Sequence, residues 1–92
     1  MSEISAIIVD DEKNSRDVLQ KLLFKLEFSI HIIDESSELI DAVEKIKNHK
    51  PDVVFLDVQM PNYAGYEIVD FIDVFDFEII FVTVDRGGRY VF

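Results

Sequence analysis

The hexapeptide Ile4-Ser5-Ala6-Ile7-Ile8-Val9 is apolar and rich in β-branched residues, and it gives way at once to Asp10-Asp11-Glu12. A run this short, with this composition, predicts a buried strand. Downstream the period changes. Val18, Leu19, Leu22, Leu23 and Leu26 recur at helical spacing and form one apolar face, while Lys13, Arg16, Asp17, Gln20, Lys21 and Lys25 take the other. Asn14 or Ser15 is placed to cap the start of that helix. Residues 29–33 predict a second strand. Residues 34–37 predict a turn leading into a helix with Leu39, Ile40, Val43 and Ile46 inward. Asn48-His49-Lys50-Pro51 stops that helix, because the residue before a proline avoids the helical region.

Val53-Val54-Phe55-Leu56 is the most apolar run and has the pattern of a central parallel strand buried on both faces. It ends at Asp57. Residues 59–62 predict a loop, and residues 66–75 a third helix with Ile68, Val69, Ile72 and Phe75 inward. Glu78–Val84 predicts a fourth strand. Strand and helix therefore alternate three times before a last strand, which predicts a parallel sheet with right-handed crossovers and helices on both faces. Ligands of such sheets bind outside the carboxyl ends of the strands. Those ends carry Asp10 and Asp11 on the first strand, Asp57 on the third and Thr83 on the fourth. A lone Asp after a strand is usually a solvated turn residue. Several carboxylates at one sheet edge are different, because they repel unless a cation offsets their charge. A hard divalent ion such as Mg²⁺ does so through oxygen ligands.

Charge and composition narrow the picture. Lys and Arg number 9 against 19 Asp and Glu, a net charge of −10, which argues against direct nucleic-acid binding but not against a cation. The 49% hydrophobic content excludes a disordered acidic tail. No cysteine is present, so disulfides and thiolate metal sites are excluded and a reducing compartment fits. No apolar run nears the roughly 18–20 residues needed to span a bilayer, and the first residues lack a signal-peptide pattern. The expectation is one cytoplasmic domain with no membrane contact.

Ile7-Ile8-Val9-Asp10-Asp11-Glu12, the stretch from Pro51 to Pro61 containing Phe55-Leu56-Asp57-Val58-Gln59-Met60-Pro61, then Gly65-Tyr66-Glu67 and Ile79-Ile80-Phe81-Val82-Thr83 together resemble the receiver domain of two-component response regulators. The stretch around Asp57 and the Glu78–Val84 strand are most similar to receivers that precede LytTR-type DNA-binding domains, and the likeness covers about residues 4–83. It implies a flavodoxin-like doubly wound parallel sheet of order 2-1-3-4, here incomplete, without the family's fourth and fifth helices. It also implies a phosphoacceptor module rather than an enzyme. Asp57 would accept a phosphoryl group from a sensor histidine kinase. Asp10, Asp11, Asp57 and the main chain of Gln59 would hold Mg²⁺, and Thr83 would bond the phosphoryl oxygen. Such chemistry asks for an in-line nucleophile and a cation more than for acid–base groups.

The resemblance breaks after Thr83. The family's lysine at the end of a fifth strand is missing; the last lysine is Lys50, and only Arg86 and Arg89 follow Thr83. The chain is read as a single receiver-like domain over residues 1–92 with an atypical tail over residues 85–92. Gly88-Arg89-Tyr90-Val91-Phe92 resembles the start of a fifth strand; alternatively Asp85-Arg86-Gly87-Gly88 turns the chain into a β-hairpin, the reading turn chemistry favours, or leads into a frayed or truncated end. Loss of the last helix would bare the sheet face beside the first helix and leave the fourth strand an apolar edge. A homodimer or domain-swapped oligomer is expected in consequence. The missing lysine motivates a second function: a phosphorylation-incompetent receiver-like interaction module. An aspartyl-phosphate hydrolase is disfavoured, because Gln59 stands where such enzymes need a general acid. His31 and His49 lack ligand spacing, and Tyr66 reads as a packing residue.

Overall fold

The computed structural model describes the backbone of residues 3–26, 29–60, 63–72, 76–84 and 90–91, and the side chains of these except 59–60, 63–66, 69, 83–84 and 90–91. The elements are β1 (Ile4–Val9), α1 (Lys13–Phe24), β2 (Ile30–Ser36), α2 (Leu39–His49), β3 (Val53–Asp57), β4 (Gln59–Met60), β5 (Tyr63–Ala64), a 3-10 helix (Gly65–Asp70), β6 (Glu78–Val84) and β7 (Tyr90–Val91). The main sheet runs β2-β1-β3-β6-β7. Its first four strands pair in parallel. Over the four long strands this is the expected 2-1-3-4 order, incomplete in that α1, α2 and the 3-10 helix are the only helices among the described residues.

Strict alternation along β1 and β3 sends side chains to two separate cores. Ile7, Val9, Val54 and Leu56 meet Leu39, Ala42, Val43 and Ile46 of α2, with Ile68 and Ile72 beside them. Ala6, Ile8, Val53 and Phe55 meet Leu19 and Leu23 of α1, with Val82 of β6. The α1 face is only half covered. Val18, Leu22 and Leu26 remain 43%, 41% and 44% exposed. Leu22 and Leu26 border an open groove of about 760 Å³ whose floor includes Val53, Phe55 and Ile80. The bare face expected beside the first helix is therefore present.

Five expectations need correction. Ile40, expected inward on the second helix, is 47% exposed, and Ala42 takes the inward place. The second strand does not yield to a turn at residue 34 but continues through Ser36, with a register shift where Ala6 pairs with Ile32 and Ile7 with Asp34. Its polar end is explained by its place at the sheet edge, where Asp34 and Glu35 reach charged groups on the helices. The first helix is entered through Glu12, whose side chain makes no capping bond, rather than through Asn14 or Ser15. The predicted third helix is a 3-10 helix that ends at Asp70. Ile68, Val69, Asp70 and Ile72 are weak α-formers, and the burial of Ile68 and Ile72 is retained without a full helix. The predicted loop at residues 59–62 is instead flanked by a two-residue antiparallel ladder, Gln59 opposite Ala64 and Met60 opposite Tyr63.

At the far edge, Tyr90 pairs antiparallel with Val84 and Val91 with Thr83. Antiparallel pairing is the arrangement of the hairpin reading, not of a parallel fifth strand. Residues 85–89 and 92, with Arg86 and Arg89, lie outside the described residues, as do Pro61, Asn62 and Phe75; the side chains of Val69 and Tyr66 do too. The end of α2 behaves as the sequence predicts. Lys50 turns left-handed at φ 50°, its N–H donates to the Ile46 carbonyl, and Pro51 follows.

Candidate metal centre

Asp10 directly follows β1 and Asp57 is the last residue of β3. β1 and β3 are adjacent and parallel, with Val9 paired to Leu56, so the two aspartates emerge at the same edge one position beyond the last pair. Asp11 follows Asp10 into the turn before α1. One carboxylate oxygen from each of Asp10, Asp11 and Asp57 lies within 4.8 Å of the others. Asp10 is buried, Asp57 half-buried and Asp11 exposed.

The cluster is electrostatically loaded. Burial pushes the Asp10 carboxyl up to about 6 from an ordinary 3.8. The Glu12 N–H, donating to Asp10 Oδ1 at 3.0 Å, works against that rise, while the neighbouring Asp57 and Asp11 charges add to it. Oxygen donors suit Mg²⁺ or another hard cation, whose opposite ligands stand about 4.2 Å apart for bonds of about 2.1 Å. Three carboxylates at this spacing, one of them resisting ionisation, fit such an ion by donor type and by charge.

Thr83 and Gln59 stand at the same edge by backbone position. Asp57 is paired in register with Val82, one residue before Thr83, and the Val58 N–H donates to the Val82 carbonyl at 3.2 Å. Gln59 opens β4 two residues after Asp57. The side chains of both lie outside the described residues. The structure thus gathers Asp10, Asp11 and Asp57 as side chains, and Thr83 and Gln59 as main-chain neighbours.

Arg16 and Glu35 are close to the cluster and were not among the residues singled out from sequence. Arg16, assigned to the polar face of the first helix, is only 15% exposed. Its Nη1 donates to the Asp10 carbonyl oxygen at 2.7 Å, and its Nε to Glu35 Oε1 at 2.8 Å. Gln20 Nε2 donates to Glu35 Oε2 at 2.7 Å. The one sequence signal was the i, i+4 spacing of Arg16 and Gln20, which puts two donors on one flank of α1.

The fold is a parallel α/β sheet with three acidic side chains gathered at its carboxyl edge, a donor set able to hold a hard cation. Residues 6–91 match the response regulator receiver domain family. The chain belongs to that family. It is 41% identical over 81 residues to an uncharacterized response regulatory protein of Vibrio cholerae, covering 87% of this chain and 34% of that one. It is 39% identical over 67 residues to the sensory transduction protein LytT of Bacillus anthracis, covering 73% of this chain and 27% of LytT. The chain thus spans about a third of the length of these relatives. Among solved structures, the response regulator domain of Thermotoga maritima CheB superposes with a TM-score of 0.79 at 27% identity, over 96% of this chain and 67% of that one. CheY in a CheX–CheY–BeF₃–Mg²⁺ complex from Borrelia burgdorferi superposes with a TM-score of 0.70 at 29% identity, over 87% of this chain and 61% of that one.

Proposed function

We propose that this receiver domain is a phosphoacceptor, with Asp57 as the nucleophile and a sensor histidine kinase as the donor. The observation that carries the reading is the gathering of Asp10, Asp11 and Asp57 at one strand edge. Asp10 and Asp11, with Asp57 and the Gln59 carbonyl, would hold Mg²⁺. When bound, that ion supplies positive charge against the spreading negative charge of a phosphoryl group in transfer. An Asp57 carboxylate oxygen attacks the phosphorus of a phosphoimidazole and forms the P–O bond. The P–N bond breaks and its electron pair returns to the imidazole nitrogen. The Thr83 hydroxyl, one position beyond the partner of Asp57 in the neighbouring strand, would donate to a phosphoryl oxygen. The complex of the related CheY with BeF₃ and Mg²⁺ supports the same pairing of ions for this chain. The reading is of a signalling module in the cytoplasm rather than of an enzyme with turnover, and it includes no nucleic-acid contact by this domain.

Incubation with acetyl phosphate and Mg²⁺ is expected to add one phosphoryl group, detected by intact mass. Asp57→Asn should abolish the adduct, and chelation by EDTA should suppress it. An adduct that persists in Asp57→Asn refutes the site. The alternative is a receiver-like interaction module that does not accept phosphate. Wild-type protein that binds Mg²⁺ and yet gives no adduct would select it.

Self-association belongs to the same proposal. Ile80 and Phe81 are 37% and 40% exposed, and among the described residues β7 pairs with β6 at Thr83 and Val84 alone, leaving an apolar edge beside the open α1 groove. Light scattering across a concentration series should show a dimer, weakened by Ile80→Lys. A monomer at every concentration overturns this part alone.

A further inference from the structure

We infer that Arg16 is a positioning residue for the acid cluster: held by Glu35 of β2, its guanidinium fixes the Asp10–Asp11 peptide and thereby sets the two carboxylates that receive the divalent cation. The inference rests on the reading of Asp10, Asp11 and Asp57 as a cation site.

Asp10 is held at both main-chain polar groups. Its N–H donates to the Ser36 carbonyl at 3.0 Å, and its carbonyl accepts from Arg16 Nη1 at 2.7 Å. The second contact matters more for the site, because that carbonyl belongs to the peptide linking Asp10 to Asp11. A peptide unit is planar, so fixing its oxygen fixes the direction in which the chain leaves Asp10 and where Asp11 begins. The Glu12 N–H, two residues on, in turn holds Asp10 Oδ1. A rotation of the peptide would therefore move both carboxylates together.

Arg16 can act this way only if it is itself held. Its Nε bond to Glu35 and its Nη1 bond to Asp10 use two edges of one planar fork, which a lysine ammonium cannot reproduce. Glu35 is fixed on both sides of β2. Its carboxylate also takes Gln20 Nε2 at 2.7 Å from α1, and its carbonyl takes Lys45 Nζ at 2.6 Å from α2. The chain of bonds thus runs from both helices through the edge strand to the loop that carries two ligands. Groups that orient metal ligands from outside the coordination sphere typically change metal affinity by roughly 10–100-fold when removed.

The test is Mg²⁺ affinity by titration calorimetry at fixed pH, with metal-free thermal unfolding measured alongside. Arg16→Ala should weaken Mg²⁺ binding by roughly 10-fold or more, and Arg16→Lys should recover little of it. Glu35→Gln should weaken binding less, and should have no further effect in an Arg16→Ala background, because Glu35 acts through Arg16. Asp52→Ala serves as the control for simple destabilisation. It removes the acceptor of the Ser5 N–H and Oγ–H bonds, 2.9 and 3.1 Å, at the opposite end of the sheet. It should lower the unfolding temperature without altering Mg²⁺ affinity. If Arg16→Ala proves unfolded by circular dichroism, Arg16→Lys carries the comparison. Wild-type affinity in a folded Arg16 variant overturns the inference alone, as does a Glu35→Gln effect that persists undiminished without Arg16. Absence of Mg²⁺ binding by the wild type overturns the cation site and this inference with it.

Discussion

The two ends of the sheet treat an aspartate in opposite ways. At the amino end, Asp52 sits just before β3 and reciprocates with Ser5 of β1: its Oδ2 accepts the Ser5 N–H and hydroxyl, and its own N–H reaches Ser5 Oγ at 3.0 Å. At the carboxyl end of the same two strands, Asp10 is buried beside two further carboxylates and is pushed up to about 6. One end uses charge to tie strands together, while at the other burial and neighbouring carboxylates hold Asp10 against ionising. The contrast separates an acid that ties strands from one that burial loads more clearly than composition does, since the −10 net charge counts both alike.

The largest effect should come from neutralising the loaded end. Without a divalent cation, Asp10→Asn should raise stability at pH 7.5 by about 2–3 kcal/mol in urea unfolding, since one pKa unit is about 1.4 kcal/mol. A neutral or destabilising outcome would break the contrast. The same physics sets a pH dependence. The folded carboxyl of Asp10 lies above the ordinary 3.8, so its contribution is fully present below about pH 4 and is lost as the pH rises through about 6. Metal-free wild type should therefore weaken from pH 5 to pH 7.5, Asp10→Asn should flatten that slope, and Mg²⁺ should restore stability at pH 7.5 far more than at pH 5.

Asp52→Ala should lose about 1 kcal/mol at either pH, with or without Mg²⁺, because exposed hydrogen bonds contribute about that much net. The β2 edge titrates the other way. The half-exposed carboxyl of Asp34 is raised by partial burial but lowered more by the Glu35 N–H and by Lys45, so the net direction is down. Asp41 is lowered chiefly by the Ser36 hydroxyl, then by Lys45. Their contribution is present above about pH 4 and is lost below it. Lys45→Met should remove part of that acid sensitivity, visible as a shallower stability loss between pH 4 and pH 2.5. The smallest effect belongs to the exposed Lys13–Asp17 pair at 3.1 Å, where Lys13→Ala should cost less than about 0.5 kcal/mol.

The buried parts of the fold were legible before any coordinates. β1 and β6 begin and end where the sequence pattern places them, and β3 runs only one residue further, through Asp57. β3 is buried on both faces and apolar from Val53 to Leu56, so its first polar residue marks its end. Asp10, Asp11 and Asp57 were legible as a group as well: once β1 and β3 are parallel neighbours, their ends share an edge. The polar end of the edge strand was not legible. Asp34, Glu35 and Ser36 have turn composition, and only the helices on either side give those side chains partners that keep them extended. Arg16 was hidden by the same gap, since its two side-chain contacts join residues that are distant or lie behind it in the chain.

Sequence alone therefore determined which segments are strands at the centre, where they end, and which acids stand at those ends, because burial imposes a local pattern that each segment carries in itself. Tertiary structure decided the rest: the length of β2, the choice of antiparallel pairing for Tyr90–Val91 with Thr83–Val84, the raised carboxyl of Asp10 and the grip of Arg16 on its carbonyl. Each of these depends on which distant group arrives beside a polar or half-exposed one, and distance in space is not written in any single segment.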